Sequence, residues 1–295
     1  MEETSKSFRD YKSHAENCIT LATGEFYPDV LVDACELYGP VLIMFGQLLK
    51  SSESSQRLFL QIAHVPTPWM RVQLCRVFKR YVSPTTPVEM LKKKSDAKKI
   101  AARYGEKFRQ IQEAQAAFMA RPMPDEVLSA RLWEYKERGQ KGYGLTERFF
   151  ELFQAYFLNL YITGPKRSGR DILLGEVFND YPNPRRPVDF IVKDVDAKSI
   201  LAVGLARYDS DRGGAQEDDR TGGYNNCANE FLGYAQANGL NTKMIFLNDG
   251  PGLLLGSMWN DYARLEESWA GRIKVVTLRM IPDRITYGWL KEEAT

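Results

Sequence analysis

The sequence predicts a mixed α/β (α+β) protein: a helical region over 1–143, followed by an α/β unit over 144–295 built on a mixed sheet. Three observations predict this. Apolar residues in the first half recur at helical spacing. The second half alternates short apolar runs with helical segments. Between the two, around 139–144, three glycines punctuate the chain.

In the first half, Leu31, Ala34, Tyr38, Val41, Phe45 and Leu48 mark a helix over 27–49, which Gly39 and Pro40 are expected to kink or split. Met70, Leu74, Val77 and Tyr81 share one face of a helix over 69–81. Residues 83–87 form a break, and 88–120 read as one long Ala- and Lys-rich helix. Pro122 and Pro124 precede a further helix ending near Gly139.

In the second half, Thr146 is placed to cap a helix carrying Phe149, Phe150, Phe153, Phe157 and Leu160 on a broad apolar face. Strands are predicted over 172–178, 188–192 and 200–208, the last apolar enough to be buried. Their short connections suggest a meander. A polar, Gly-rich segment over 209–223 leads to a helix over 225–238, a strand over 243–247, a helix over 254–269 and a strand over 273–280. Helical crossovers make the later strands parallel.

Composition narrows the chemistry. The chain has 40 Lys+Arg against 38 Asp+Glu, a formal net charge of +2, and is 44% hydrophobic and 26% charged, the profile of an ordinary globular chain. No apolar run reaches the roughly 18 residues of a membrane span, and 1–9 are polar with no signal-like core, so a cytoplasmic protein of prokaryotic type is expected, with no membrane partner. Cys18, Cys35, Cys75 and Cys227 form no C-x-x-C pair and are expected to be reduced structural thiols. His14 and His64 are the only histidines, which disfavours Ser-His-Asp catalysis and His-rich metal centres. There is no dinucleotide fingerprint and no phosphate-binding loop of the Walker type.

The segment 185–220 carries the most chemistry. Arg185-Arg186-Pro187-Val188-Asp189-Phe190 sets an aspartate at the start of a strand, a position able to hold a hard cation. Downstream come Asp209, Asp211, Glu217, Asp218 and Asp219, interleaved with Arg207, Arg212, Arg220 and Gly213-Gly214. The alternative is a solvated acidic loop, but a long polar segment between a buried strand and a helix is a common functional setting.

The order helix, three strands, helix, strand (αβββαβ) resembles the core of the PD-(D/E)xK nucleases. The second half is similar, more narrowly, to type II restriction endonucleases. The residues that carry the resemblance are 186–192, the strand Leu201 to Tyr208, the turn Gly213-Gly214-Ala215-Gln216-Glu217, and 246–252. It covers about 146–280 and implies a Mg2+-dependent, sequence-specific endonuclease acting on double-stranded DNA as a homodimer. The family's Asp/Glu-x-Lys triplet would fall at Gly204-Leu205-Ala206, which has neither carboxylate nor lysine. Three explanations stand: migration of the ligands downstream, a lost site leaving a DNA-binding or regulatory subunit, or an engineered Ala206.

Under migration, the resemblance implies Asp189, Asp211 and Glu217 as metal ligands. Gln216 or Arg207 would stand where the lysine normally acts, making Asp189, Glu217, Gln216 and Arg207 the catalytic set. Glu147 resembles the family's auxiliary helix carboxylate, with helix capping as the alternative, and Glu176 is a further candidate. Phosphate contacts are expected from Lys166, Arg167, Arg170, Arg185 and Arg186, and from the basic run between Lys92 and Arg109. Arg212, Arg220, Asn225 and Asn226 are the candidate base readers.

Overall fold

A computed structural model describes residues 6–166, 170–194, 199–210, 216–269 and 271–291, without the side chains of 137–139 and 216–221. The chain divides into two units, Gly24–Arg138 and Met1–Thr23 together with Gly139–Thr295. The sequence-based division at 143 differs at both ends. The boundary falls a few residues earlier, and the first segment belongs with the second half.

In chain order, a 3-10 helix, Phe8–His14, leads into α1 (Ala15–Cys18). The helical unit then holds α2 (Val30–Ser51), α3 (Ser55–Ala63), α4 (Pro68–Tyr81), α5 (Val88–Leu91), α6 (Ala97–Tyr104), α7 (Ile111–Met119) and the start of α8 (Glu126–Tyr156). Helix α2 runs through Pro40 without splitting. It buries Ala34, Tyr38, Val41, Phe45 and Leu49 at helical spacing. Among the described residues it is the one helix long and apolar enough to cross a membrane by length and composition, although no uninterrupted apolar run marks it in the sequence.

The long helix expected over 88–120 is instead three helices, α5, α6 and α7, joined by short 3-10 turns. The cause is tertiary packing, which overrides propensity. Phe108 is extended and buried, edge-on to Phe59 and Phe78 with centroids 6.0 and 5.2 Å away. Gly105 lies so close to α3 that a Cβ there would come within 2.4 Å of the Gln56 side chain.

The α/β unit continues with the rest of α8, β1 (Leu160–Thr163), β2 (Ile172–Leu173), α9 (Leu174–Val177), β3 (Pro187–Val188), β4 (Phe190–Asp194) and β5 (Ile200–Tyr208). It closes with α10 (Gln216–Ala237), β6 (Lys243–Asp249), α11 (Met258–Ser268), β7 (Ile273–Val276), α12 (Ile281–Arg284) and α13 (Tyr287–Lys291). The main sheet has the order β1-β4-β5-β6-β7. The pairs β1/β4 and β4/β5 are antiparallel, and β5/β6 and β6/β7 are parallel, so the sheet is mixed as expected. Strands β2 and β3 form a separate antiparallel pair, Ile172↔Val188 and Leu173↔Pro187.

Both sheet faces are covered. Phe149 and Phe150 of α8 meet Phe190 of β4, with centroids 4.9 and 6.2 Å apart. Phe190 in turn fills the space over Gly204. On the other face, Tyr224 of α10 packs on Phe246 of β6 at 5.0 Å and neighbours Tyr262 of α11 at 6.0 Å. Strand β6 is buried along its whole length, which explains its near-continuous apolar run.

Four local expectations differ. Thr146 caps nothing: α8 is continuous through it, and its hydroxyl bonds back to the Gly142 carbonyl at 3.3 Å. The strand expected over 172–178 stops after two residues. Leu174 N–H bonds the Arg186 carbonyl, and Gly175 fits against Pro184 where a Cβ would approach to 2.4 Å. The meander's first strand is therefore β1, four residues hidden behind the phenylalanine run. The last strand ends at Val276, because Leu278 turns to give its N–H to Asp249.

The N-terminal segment joins this unit through polar bonds in an apolar setting. Phe8 is fully buried and stacks on Trp259 at 4.3 Å, and the Trp259 indole donates to the Phe8 carbonyl. Glu266 accepts the N–H groups of Phe8 and Val275, each at 2.8 Å. Arg284, 1% exposed, donates to both Glu266 oxygens at 2.6 and 2.7 Å, and to the carbonyls of Lys6 and Val275.

Two outcomes are expected. Arg284→Met strands a buried carboxylate and lowers the urea unfolding free energy by about 3–5 kcal/mol. The second concerns the thiols, all four of which are free. Burial pushes the Cys75 thiol to about 12 and the Cys227 thiol to about 11. Rapid labelling of the native protein at neutral pH is expected at half-buried Cys35, with Cys75 and Cys227 reacting only on unfolding.

Candidate functional site

Asp189 sits in a one-residue bend between β3 and β4. Its N–H bonds the Gly204 carbonyl at 2.9 Å, and its Oδ2 accepts the Ala206 N–H at 2.7 Å. The stretch 204–206 therefore does lie beside Asp189, as the sequence comparison expects. What answers the aspartate there is backbone. Gly204 has no room for a side chain, since a Cβ would meet the Phe190 ring at 2.0 Å. Behind Asp189, Gly164 makes an equally close approach, where a Cβ would fall 2.2 Å from the Asp189 carbonyl oxygen.

The Asp189 carboxyl is pushed above the usual carboxylate range. Burial is the main cause, and the negative charge of Asp171 adds to it. The Ala206 N–H opposes both by favouring the ionised form. Asp171 immediately precedes β2. Ile172, next to Asp171, pairs with Val188, next to Asp189, so the two aspartates follow the same end of the β2/β3 ladder, and Asp171 is near enough for its charge to act on Asp189. Asp171 is exposed, and sequence reasoning missed it. Its signal was slight: an aspartate just before a short apolar pair.

Arg207 and Asp209 lie further along β5. Arg207 Nε donates to Asp209 Oδ1 at 2.9 Å, and the Arg207 side chain is 35% exposed while that of Asp209 is 2% exposed. Asp209 also receives the Tyr262 hydroxyl at 3.4 Å and is walled in by Gly250 and Gly252. The Tyr224 hydroxyl feels Arg207, Asp189 and Asp209 together, which gathers all three under α10; burial holds it well above the usual phenol range.

Two polar residues end β6, and their situations are opposite. Asp249 is fully buried and accepts four bonds, from Thr20 N and Oγ1 (2.7 and 2.9 Å), Gly250 N (2.7 Å) and Leu278 N (3.0 Å). It is spent on holding the chain together. Asn248 is also fully buried, yet neither Oδ1 nor Nδ2 has a partner among the described residues. An unpaired buried amide costs about 1–3 kcal/mol. The signal for Asn248 was present in the sequence as a polar residue closing an apolar strand.

The remaining predicted residues are scattered in their roles. Gln216 and Glu217 begin α10, and Arg220 follows within it; their side chains are outside the described residues. Asp211, Arg212 and Arg167 also lie outside the described residues, as do Gly213 and Gly214. Lys166 and Arg185 are exposed, and Asn225 and Asn226 lie on α10, half-buried and exposed respectively. Arg186 is engaged within the protein by Glu230, which also accepts the Tyr181 hydroxyl at 3.0 Å. Arg170 pairs with Glu176, so the latter is turned to a surface ion pair. Glu147 lies inside continuous α8 and is half-buried there.

Among the described residues no group of three or more His, Cys, Asp or Glu side chains converges on one point. The donors at Asp189 and Asp171 are hard carboxylate oxygens. Mg2+ commonly takes one or two protein carboxylates and completes its shell with water and phosphate. The pair fits that ion: burial raises the Asp189 pKa most, and the smaller contribution from Asp171 is repulsion that a cation would relieve.

No protein-family model matches the chain, and no curated protein matches it.

The Arg186–Glu230 pair yields a pH-dependent prediction. Arg186 and Tyr181 hold the Glu230 carboxyl below its ordinary range. Because the folded-state pKa is depressed, the stabilisation is present above the unfolded carboxylate pKa and lost as pH falls through the folded one. Glu230→Gln is expected to cost about 1 kcal/mol in urea unfolding at pH 7, with the difference from the unaltered protein vanishing in acid below the carboxylate range.

Proposed function

We propose that this chain is a Mg2+-dependent endonuclease of the type II restriction kind, cutting double-stranded DNA at a specific sequence as a homodimer, in the restriction-modification setting of a prokaryotic cytoplasm. The observation that carries the reading is the Asp171–Asp189 pair, set at the open end of the β2/β3 ladder near the partly exposed guanidinium of Arg207. The strand order supports it: helix α8, the meander β1-β4-β5, helix α10 and parallel strand β6 follow the αβββαβ sequence of the nuclease core.

In this reading Asp189 and Asp171 hold the cation, and the Ala206 N–H keeps the Asp189 carboxylate in one orientation. When bound, Mg2+ supplies charge neutralisation at the phosphate and a lowered pKa for water. Arg207 binds a non-bridging phosphate oxygen, with Asp209 fixing its guanidinium at the Nε edge. Lys166 and Arg185, both exposed, contact flanking phosphates, and Asn225 and Asn226 are placed on α10 as candidate base readers. A two-fold dimer would match a palindromic site. Glu217 and Gln216, at the start of α10, are a third carboxylate and an amide that the same site could recruit.

A second reading has its own observation. Gly204 and Ala206 leave the triplet position without side-chain chemistry, which favours a catalytically inactive DNA-binding or regulatory subunit of the same fold.

Incubation with unmodified phage DNA and Mg2+ separates the two. Discrete fragments are expected, and they disappear with EDTA. Asp189→Ala and Asp171→Asn should each slow cleavage by at least about a hundredfold while retaining duplex binding in a gel shift. Binding without fragments in any common buffer would select the inactive subunit, and an Asp171 variant of full activity would remove that residue from the site.

A further inference from the structure

Asn248 is not explained by folding. It stands in the fully buried strand β6, and its carboxamide has no partner among the described residues. Its neighbour Asp249, equally buried, is satisfied four times over. A leucine has the same number of side-chain heavy atoms in the same branched arrangement and would remove the unpaired amide, with methyl groups somewhat larger than the amide's oxygen and nitrogen. A sequence that keeps asparagine there holds an unmet donor and acceptor in the free protein.

The position says what would meet them. In the parallel β5/β6 pair, Asn248 is the partner of Arg207, so the two side chains leave the sheet on the same face about 5 Å apart. That face lies under α10, where Tyr224 also feels Asp189 and Asp209. Arg207 reaches solvent, and among the described residues only its Nε edge is engaged. An amide donor beneath a partly exposed guanidinium suits a ligand with several acceptor oxygens on one centre.

We propose that Asn248 is a substrate-binding residue, its Nδ2–H donating to a non-bridging oxygen of a DNA phosphodiester whose other non-bridging oxygen is held by Arg207. The contact forms when bound DNA shifts the side chains that seal Asn248 in the free protein. The proposal deepens the nuclease reading and rests on it for the identity of the ligand.

The test compares the full chain with Asn248→Leu and Asn248→Asp. Urea unfolding of the free proteins is read first, and then affinity for a short duplex carrying the cleavage site, by fluorescence anisotropy with Ca2+ replacing Mg2+. Asn248→Leu is expected to be as stable as the unaltered protein or more so, and to bind DNA about tenfold more weakly. Asn248→Asp should bind more weakly still, through repulsion of the phosphate. If the unaltered chain binds duplex and the leucine variant binds equally well, the proposal is overturned and the nuclease reading stands. If the leucine variant and the smaller Asn248→Val are both markedly less stable, the amide is satisfied within the fold by an internal water, which also overturns it. If the unaltered chain binds no duplex, the nuclease reading fails and this inference falls with it.

Discussion

The buried pair of Glu266 and Arg284 is the constraint on which the α/β unit depends. A carboxylate and a guanidinium removed from water are costly unless every bonding direction is used. Here nearly all are: Glu266 takes two backbone N–H groups and the guanidinium, and Arg284 gives to two carbonyls besides. The bonds reach the N-terminal segment, α11, β7 and α12 at once. The last strand and both ends of the unit are thereby fixed to one another, and the parallel strand β6 is held inside. Asp249 repeats the device at the end of β6, gathering Thr20, Gly250 and Leu278 around one carboxylate.

Those two clusters also define the candidate site by contrast. At Glu266 and Asp249, where the buried carboxylate serves the fold, each takes several partners. Where Asp189 and Asn248 stand, they are incomplete among the described residues: one carboxylate accepts a single backbone N–H and feels the charge of Asp171, and one amide has no partner. The same sheet thus carries saturated polar groups at one position and unsaturated ones at the next, with the register of β5 on β6 keeping them on the face below α10.

Much of this was legible in the sequence. The mixed sheet, the crossover helices α10 and α11, and the buried strand β6 follow from apolar runs bounded by turn residues. Asp189 stood out because an aspartate opened a strand that led into a hairpin. What was illegible depended on distance in the chain. The 88–120 segment has helical propensity throughout, yet Phe108 and Gly105 break it because α3 and α4 lie against it. Thr146 has a capping residue's chemistry, but only the packed neighbours of α8 decide that the helix continues. Asp171 acquires meaning through its register with β3, eighteen positions away, and no local pattern encodes that pairing.

The place of the first residues has a consequence for synthesis. Phe8 and Thr20 bond to groups on α11 and β6, and Cys18 to Thr277 after β7, so the α/β unit is discontinuous in the chain, with the helical unit inserted after residue 23. As the chain leaves the ribosome, residues 24–138 are complete before the strands of the sheet have emerged. The segment before residue 24 must wait, with Phe8, Tyr11 and Ile19 uncovered, until the strand and helices beyond residue 243 arrive to bury them. The protein therefore passes through an interval in which that segment is made but its apolar residues have no partners.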